Sequence, residues 1–191
     1  MKQSDEGLNL RIEAYVVAGD DDRYCDQSGH IPPALKHDAE WTFFQSGLDR
    51  ADVSVMGREG HEANVNRKAR RRLVLTRSVS DCVRDGLVVY WNPAHTGLET
   101  ALALFRSPIS SLAVVGGQHV FDFFLRTPPS YFRFHLSHIA GVNSPGGRTV
   151  FPKQPAGATA AAVLKNADYV VMEHTILAPG VTVYSWGKPD R

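Results

Sequence analysis

Leu112-Ala113-Val114-Val115-Gly116-Gly117-Gln118-His119-Val120-Phe121 is the stretch whose reading organises the rest of this chain. An apolar, β-branched run stops at paired glycines and gives way to residues that can form a short helix, Gln118–Leu125. A strand that ends in Gly-Gly before a helix exposes backbone N–H groups together with the positive end of the helix dipole, a combination that holds phosphate. An isolated Gly-Gly is, by itself, more often a tight turn that needs glycine for its backbone. Outward from this segment the strand pattern recurs at Leu10–Ala18, Asp52–Met56, Arg72–Thr76, Leu87–Tyr90 and Tyr131–Ile139. Between the runs, Asp38–Gly47 and Gly97–Arg106 carry apolar residues at helical spacing. After Phe151-Pro152 comes a stretch of Pro, Gly and Ala, then Tyr169–Glu173 and Val181–Trp186 around Ala178-Pro179-Gly180, which reads as an antiparallel hairpin. The expected architecture is α/β: a single domain over 1–191 with an ordered core of about 10–187, a central, mostly parallel mixed sheet, helices on both faces and a C-terminal antiparallel hairpin. No internal repeat is visible, and Ala158–Ala162 is the only low-complexity patch.

Composition narrows the function classes. At 191 residues, 43% of them hydrophobic, the chain can bury one sizeable core and is short for two domains. Twenty-one Lys and Arg against 20 Asp and Glu leave a formal charge of +1, so no global field recruits nucleic acid or an anionic membrane. No secretion-signal pattern opens the sequence and no apolar run nears the ~20 residues of a membrane span. A cytoplasmic location, with neither nucleic acid nor membrane as partner, is the expectation. The two cysteines, Cys25 and Cys82, have no paired spacing and read as free thiols. Eight histidines give no metal constellation, since His135 and His138 fall on opposite faces of an expected strand. Neither a nucleophile elbow nor a phosphate-binding loop ending in Gly-Lys-Ser or Gly-Lys-Thr is present.

Two further clusters bear on chemistry. Met56-Gly57-Arg58 ends one strand, and Arg70-Arg71-Arg72-Leu73-Val74-Leu75-Thr76-Arg77 frames the next. Arginine forks suit phosphate and carboxylate, and a solvated basic rim is the plainer alternative. In Glu40-Trp41-Thr42-Phe43-Phe44-Gln45 the acid and Phe44 lie one helical turn apart. An acid among aromatics is poorly solvated, which raises its pKa and lets it hold a proton near neutrality; an acid merely solvated in a helix's first turn would do nothing of the kind.

Taken in order, these segments resemble the dihydrofolate reductase family from about Ile12 to about Trp186. Ile12–Ala18 resembles its first strand, Ile31-Pro32 its mobile loop, Glu40–Gln45 the helix with the active-site acid, and Val53–Arg58 the strand and Met-Gly-Arg signature. Leu73–Arg77 is similar to the strand touching the adenosine 2′-phosphate, Val115–Phe121 to the second glycine signature, and His135–Ile139 with Phe151-Pro152 to the late strand and closing motif. The resemblance implies a dihydrofolate reductase-like fold and NADPH-dependent hydride transfer to a C=N bond of dihydrofolate, giving tetrahydrofolate. It implies Glu40 and Ser137 as catalytic residues, and Val16, Ile31, Phe44, Arg70, Val115 and Phe121 as substrate-binding, with Arg70 gripping a glutamate carboxylate. It implies that Val17, Ala18, Gly57, Arg58, Glu59, Gly60, Thr76, Arg77, Gly116, Gly117, Gln118, His119 and Val120 bind the cofactor, with no metal. The partner is then a folate- or pterin-like small molecule, and the assembly a monomer or homodimer.

The sequence departs from the family's pattern in four places. Pro33 stands where tryptophan is usual, Gly60 where threonine is, and Phe121 where tyrosine is common. A gap-free count from Ile31-Pro32 reaches Asp38 as the acid, whereas counting back from Phe44-Gln45 and Met56-Gly57-Arg58 reaches Glu40, the choice that also presents the phenylalanine. Two alternatives follow: a reductase on the same fold acting on a pterin or on a riboflavin-pathway aminopyrimidine, and a non-catalytic NADPH-binding paralogue.

Overall fold

In the computed structural model, which describes residues 10–152, 154 and 157–189, every long apolar run becomes a strand. In chain order the strands are β1 (Arg11–Ala18), β2 (Arg23–Cys25), β3 (Val53–Gly57), β4 (Arg72–Leu75), β5 (Cys82–Asp85) and β6 (Val88–Trp91). They continue as β7 (Ser111–Val114), β8 (Arg133–Ile139), β9 (Arg148–Thr149), β10 (Val170–Ala178) and β11 (Val181–Gly187). The helices are α1 (Asp38–Arg50), α2 (Arg58–Ala63), α3 (Leu98–Ala103), α4 (Gln118–Arg126) and α5 (Ala160–Asn166).

Nine strands form one sheet in the order β10-β11-β8-β1-β7-β3-β4-β6-β5. The six from β8 to β6 are parallel, while β11 on one side and β5 on the other run antiparallel to them and β10 pairs antiparallel with β11. Strands buried on both faces need apolar residues throughout, which is why β3 and β7 read as continuous runs. From β3 the chain winds outward through β4 and β6, returns to insert β7 between β1 and β3, then crosses to β8 on the far side of β1. Loops therefore leave the C-terminal ends of β1, β3 and β7 in different directions, the arrangement that in such sheets makes the ligand-binding crevice.

Helices cover both faces. The side chains of Ile12, Ala14, Val16, Val53, Val55, Leu112 and Val114 pack with α3, α4 and α5 around Phe124, Phe134 and Leu164. On the other face Tyr15 and Ala113 pack under α1 with Phe43, Phe44 and Leu48. The C-terminal hairpin turns at Pro179-Gly180, with Gly180 at φ 75°, a conformation that favours glycine. Its first strand reaches Ala178, beyond the expected Glu173, because β11 pairs with it along its length.

Three features carried no legible signal. β2 and β9, three and two residues long, pair with each other and are too short for periodicity. Strand β5 returns on β6 through Gly86 at φ 55°. Helix α5 rises from the alanine patch because Thr159 accepts the Ala162 N–H at 3.2 Å and caps it.

Candidate active site

The two glycine segments, 59 residues apart in sequence, meet at the C-terminal edge of the sheet. Gly57 N–H donates to the Gly116 carbonyl at 2.9 Å, and Val115 N–H to that of Val55 at 2.9 Å, so β3 and β7 stay paired up to their ends. The Gly116–Gly117 peptide is cis, and Gly116 has φ 111°, in the range reserved for glycine. A Cβ on Gly116 would press on the Phe121 ring at 3.2 Å, and one on Gly57 would stand 3.9 Å from the Gly117 nitrogen. Gly57 opens α2 and Gly117 opens α4, and neither is capped by a side chain. Val120 is buried beneath the junction, Gln118 is half-buried and His119 is exposed.

Glu40 lies in the first turn of α1 at 6% exposure and points onto the sheet, whereas Asp38 is exposed to solvent. The Ser137 hydroxyl, on β8, donates to Glu40 Oε1 at 3.2 Å. Burial pushes the Glu40 carboxyl above its ordinary value, and the Ser137 hydrogen bond offsets this in part. Sheet register sets Ser137 beside Val17 of β1, and β7 is the next strand, so the acid lies about two strand spacings, ~10 Å, from the glycine junction. Val16, Val17 and Ala18 are buried between them, with Val115 half-buried on β7. Phe44 leans on Tyr15 at a centroid distance of 6.5 Å. Phe121 is fully buried against Phe134 and Tyr24, while Ile31 is exposed in the loop before α1.

A second carboxylate on this face behaves in the opposite way. Glu13 accepts hydrogen bonds from Tyr15 at 2.5 Å, from Arg11 at 2.6 Å and from His135 at 3.3 Å. Burial alone would raise its pKa, but the bonds from His135, Tyr15 and Arg11 outweigh it and bring it to about 2. A carboxylate so satisfied holds no proton near neutrality. It borders a cavity of about 300 Å³ at the N-terminal ends of β1 and β7, away from Glu40. Among the described residues, no group of three or more His, Cys, Asp or Glu converges as a metal would require, and no helix is long and apolar enough to cross a membrane.

No protein-family profile matches the chain, and no curated protein matches it in sequence. Solved structures do match in shape. A Shewanella sp. PV-4 protein assigned by its description to riboflavin biosynthesis superposes with TM-score 0.64 at 14% identity, covering 95% of this chain and 100% of its own. A Thermotoga maritima diaminohydroxyphosphoribosylaminopyrimidine deaminase/5-amino-6-(5-phosphoribosylamino)uracil reductase gives 0.63 at 12%, covering 94% of this chain and 57% of its own. Dihydrofolate reductase from Enterococcus faecalis, complexed with NADP(H) and RAB-propyl, gives 0.61 at 17%, covering 96% and 98%. The fold is that of dihydrofolate reductase.

Within this dihydrofolate reductase-like fold the remaining expected residues divide. Arg58 is exposed at the start of α2, 3.5 Å from Glu62; Glu59 and Arg77 are exposed and Gly60 faces open space. Thr76 is buried, its hydroxyl 2.9 Å from that of Ser78. Arg70 is not free: its guanidinium donates to Asp49 and, at 2.9 Å, to Gln45. Two residues of the crevice had no sequence signal. The Tyr24 hydroxyl stands against the Gly117-Gln118 backbone, its pKa pushed up to about 12 by burial and by Cys25. Arg148 on β9 reaches Glu59 at 3.2 Å. Both sit on the short β2–β9 ribbon, where a tyrosine in a polar stretch and an arginine in a glycine loop look like ordinary surface residues.

Proposed function

We propose that this protein is an NADPH-dependent oxidoreductase that reduces a C=N bond of a pterin-like heterocycle, with dihydrofolate, giving tetrahydrofolate, as the leading substrate. The observation that carries the reading is Glu40: a buried acid of raised pKa with one hydrogen-bond partner, set beside a glycine junction suited to a dinucleotide. The cradle fits such a cofactor, since two helix starts without side-chain caps face it and the side chain that stands over Gly117 is the hydroxyl of Tyr24, a group that can itself meet a phosphate oxygen.

Bound reduced nicotinamide supplies the hydride. Glu40, whose carboxyl burial shifts toward the protonated form, passes a proton, directly or through water, toward the nitrogen beside the reduced carbon. Ser137 fixes the orientation of that carboxyl. Val16, Val17, Ala18, Val115 and Phe121 exclude water around the reacting atoms, and Phe44 and Ile31 pack on the heterocycle. Gly57, Gly116, Gly117, Gln118, His119 and Val120 present backbone to the diphosphate, with Tyr24 beside them. Arg58 and Arg77, with Thr76, take the 2′-phosphate side; Glu59 and Gly60 border it, and Arg148 adds a further cation.

A second reading, a pterin or aminopyrimidine reductase, is favoured by the engagement of Arg70. The buried acid and its hydrogen bond weigh against a non-catalytic binder. The test is NADPH oxidation by the purified protein with dihydrofolate. Turnover that needs protein, NADPH and dihydrofolate together supports the first reading. Turnover only with an aminopyrimidine moves the assignment to the second, and NADPH binding without turnover on any C=N substrate overturns both.

A further inference from the structure

Arg70 is held at its backbone and along one edge of its guanidinium by the chain's own groups. Its backbone N–H donates to Asn66 Oδ1 at 3.1 Å and its carbonyl accepts from Asn66 Nδ2 at 2.7 Å. Its guanidinium donates through Nε at 3.1 Å and through Nη2 to Asp49 Oδ1, and through Nη2 at 2.9 Å to Gln45 Oε1. The other Asp49 oxygen accepts from Lys68 Nζ at 2.9 Å. The loop before β4 is thus latched to the C-terminal half of α1. Asp49 follows Glu40 by nine residues on that helix, about 13 Å along its axis. A heterocycle held at Glu40 and trailing a carboxylate along α1 meets, at that distance, a guanidinium already occupied.

Resting on the reductase reading, we infer that this enzyme gains little from an anionic tail on its heterocycle, and that Asp49, by holding Arg70, is the specificity-determining residue. A tail carboxylate must displace an acid of the same chain, whose effective concentration is of millimolar order or higher. Only 19% of the Arg70 side chain is exposed, so an incoming carboxylate also meets it poorly. Half-exposed Asp49 can be replaced without opening the core.

The experiment compares kcat/KM for dihydrofolate and for a tail-free dihydropterin in the wild type, in Asp49→Asn and in Asp49→Asn with Arg70→Ala. The wild type is expected to favour dihydrofolate by less than about ten-fold. Asp49→Asn is expected to shift the ratio toward dihydrofolate by about ten-fold or more, since a freed arginine gains a charge-assisted bond, and Arg70→Ala to reverse the gain. A wild-type preference of about ten-fold or more for dihydrofolate that Arg70→Ala abolishes overturns the inference, as does an unchanged ratio in Asp49→Asn. The NMR signal of Arg70 Nε–H gives a readout independent of turnover. On adding aminobenzoylglutamate it is expected to stay fixed in the wild type and to move in Asp49→Asn, and movement in the wild type overturns the inference. Absence of turnover with either substrate refutes the reductase reading, and the NMR titration still decides the latch.

Discussion

Glu40 lies where two effects oppose each other: the first turn of α1 favours a negative charge, and burial at 6% exposure disfavours it. Burial wins, and the folded-state pKa stands above the unfolded value of about 4.3. Between those two values the native state holds a proton that the unfolded state has lost, so stability is full below about 4.3 and declines as pH rises through the folded pKa. Glu40→Gln removes the decline. The variant is expected to melt above the wild type at neutral pH and level with it in acid, while turnover falls roughly a hundred- to ten-thousand-fold. A calorimetric pH series with an activity assay checks both, and a variant less stable at neutral pH sinks the account. The acid was legible from its one-turn spacing to Phe44. The partner of Arg70 was not, because nothing local in Arg70-Arg71-Arg72 points to a helix 21 residues earlier.

Helix α1 shows how one element serves the site. His37 caps it by accepting the Ala39 N–H at 3.2 Å, and Gly47 lets it settle on the sheet, because a side chain there would overlap the Tyr15 ring. That ring cannot yield: it is 3% exposed, stacked on His135 at 4.7 Å and bonded to Glu13. Gly47→Ala is therefore expected to destabilise by roughly 1–3 kcal/mol despite the better helix propensity of alanine. Gly60→Ala, in α2 and facing open space, is expected to gain roughly 0.5–1 kcal/mol. Urea titrations of both variants make the comparison, and a stabilised Gly47→Ala would show that α1 can lift off the sheet at little cost. The helical spacing over Asp38–Gly47 announced this element, but its glycine looked like a mere weakness until the opposing ring was in view.

At the scale of the whole molecule, Glu13 joins strands distant in sequence. It accepts from His135 on β8, whose other ring nitrogen is 2.8 Å from the Ser185 hydroxyl on β11. The folded-state pKa of Glu13 is about 2, below its unfolded value. The stability it contributes is present above about 4.3 and lost as pH falls toward the folded value, and is about 1–2 kcal/mol after discounting for solvent screening. Glu13→Gln is expected to lower the unfolding free energy from urea titration at neutral pH by that amount and to converge with the wild type in strong acid. Parallel curves across pH would assign the loss to geometry instead of charge.

The long strands, the helices α1, α3 and α4, the closing hairpin and the glycine pair that ends β7 were determined by the sequence, since hydrophobic period and turn chemistry act over a few residues. Tertiary structure alone decided that the Gly57 and Gly116 segments meet, that Tyr24 and Arg148 border their junction, and that Asp49 holds Arg70. Each of these is a contact between residues far apart in the chain. Local pattern carries no information on such contacts until the sheet fixes which ends and faces meet.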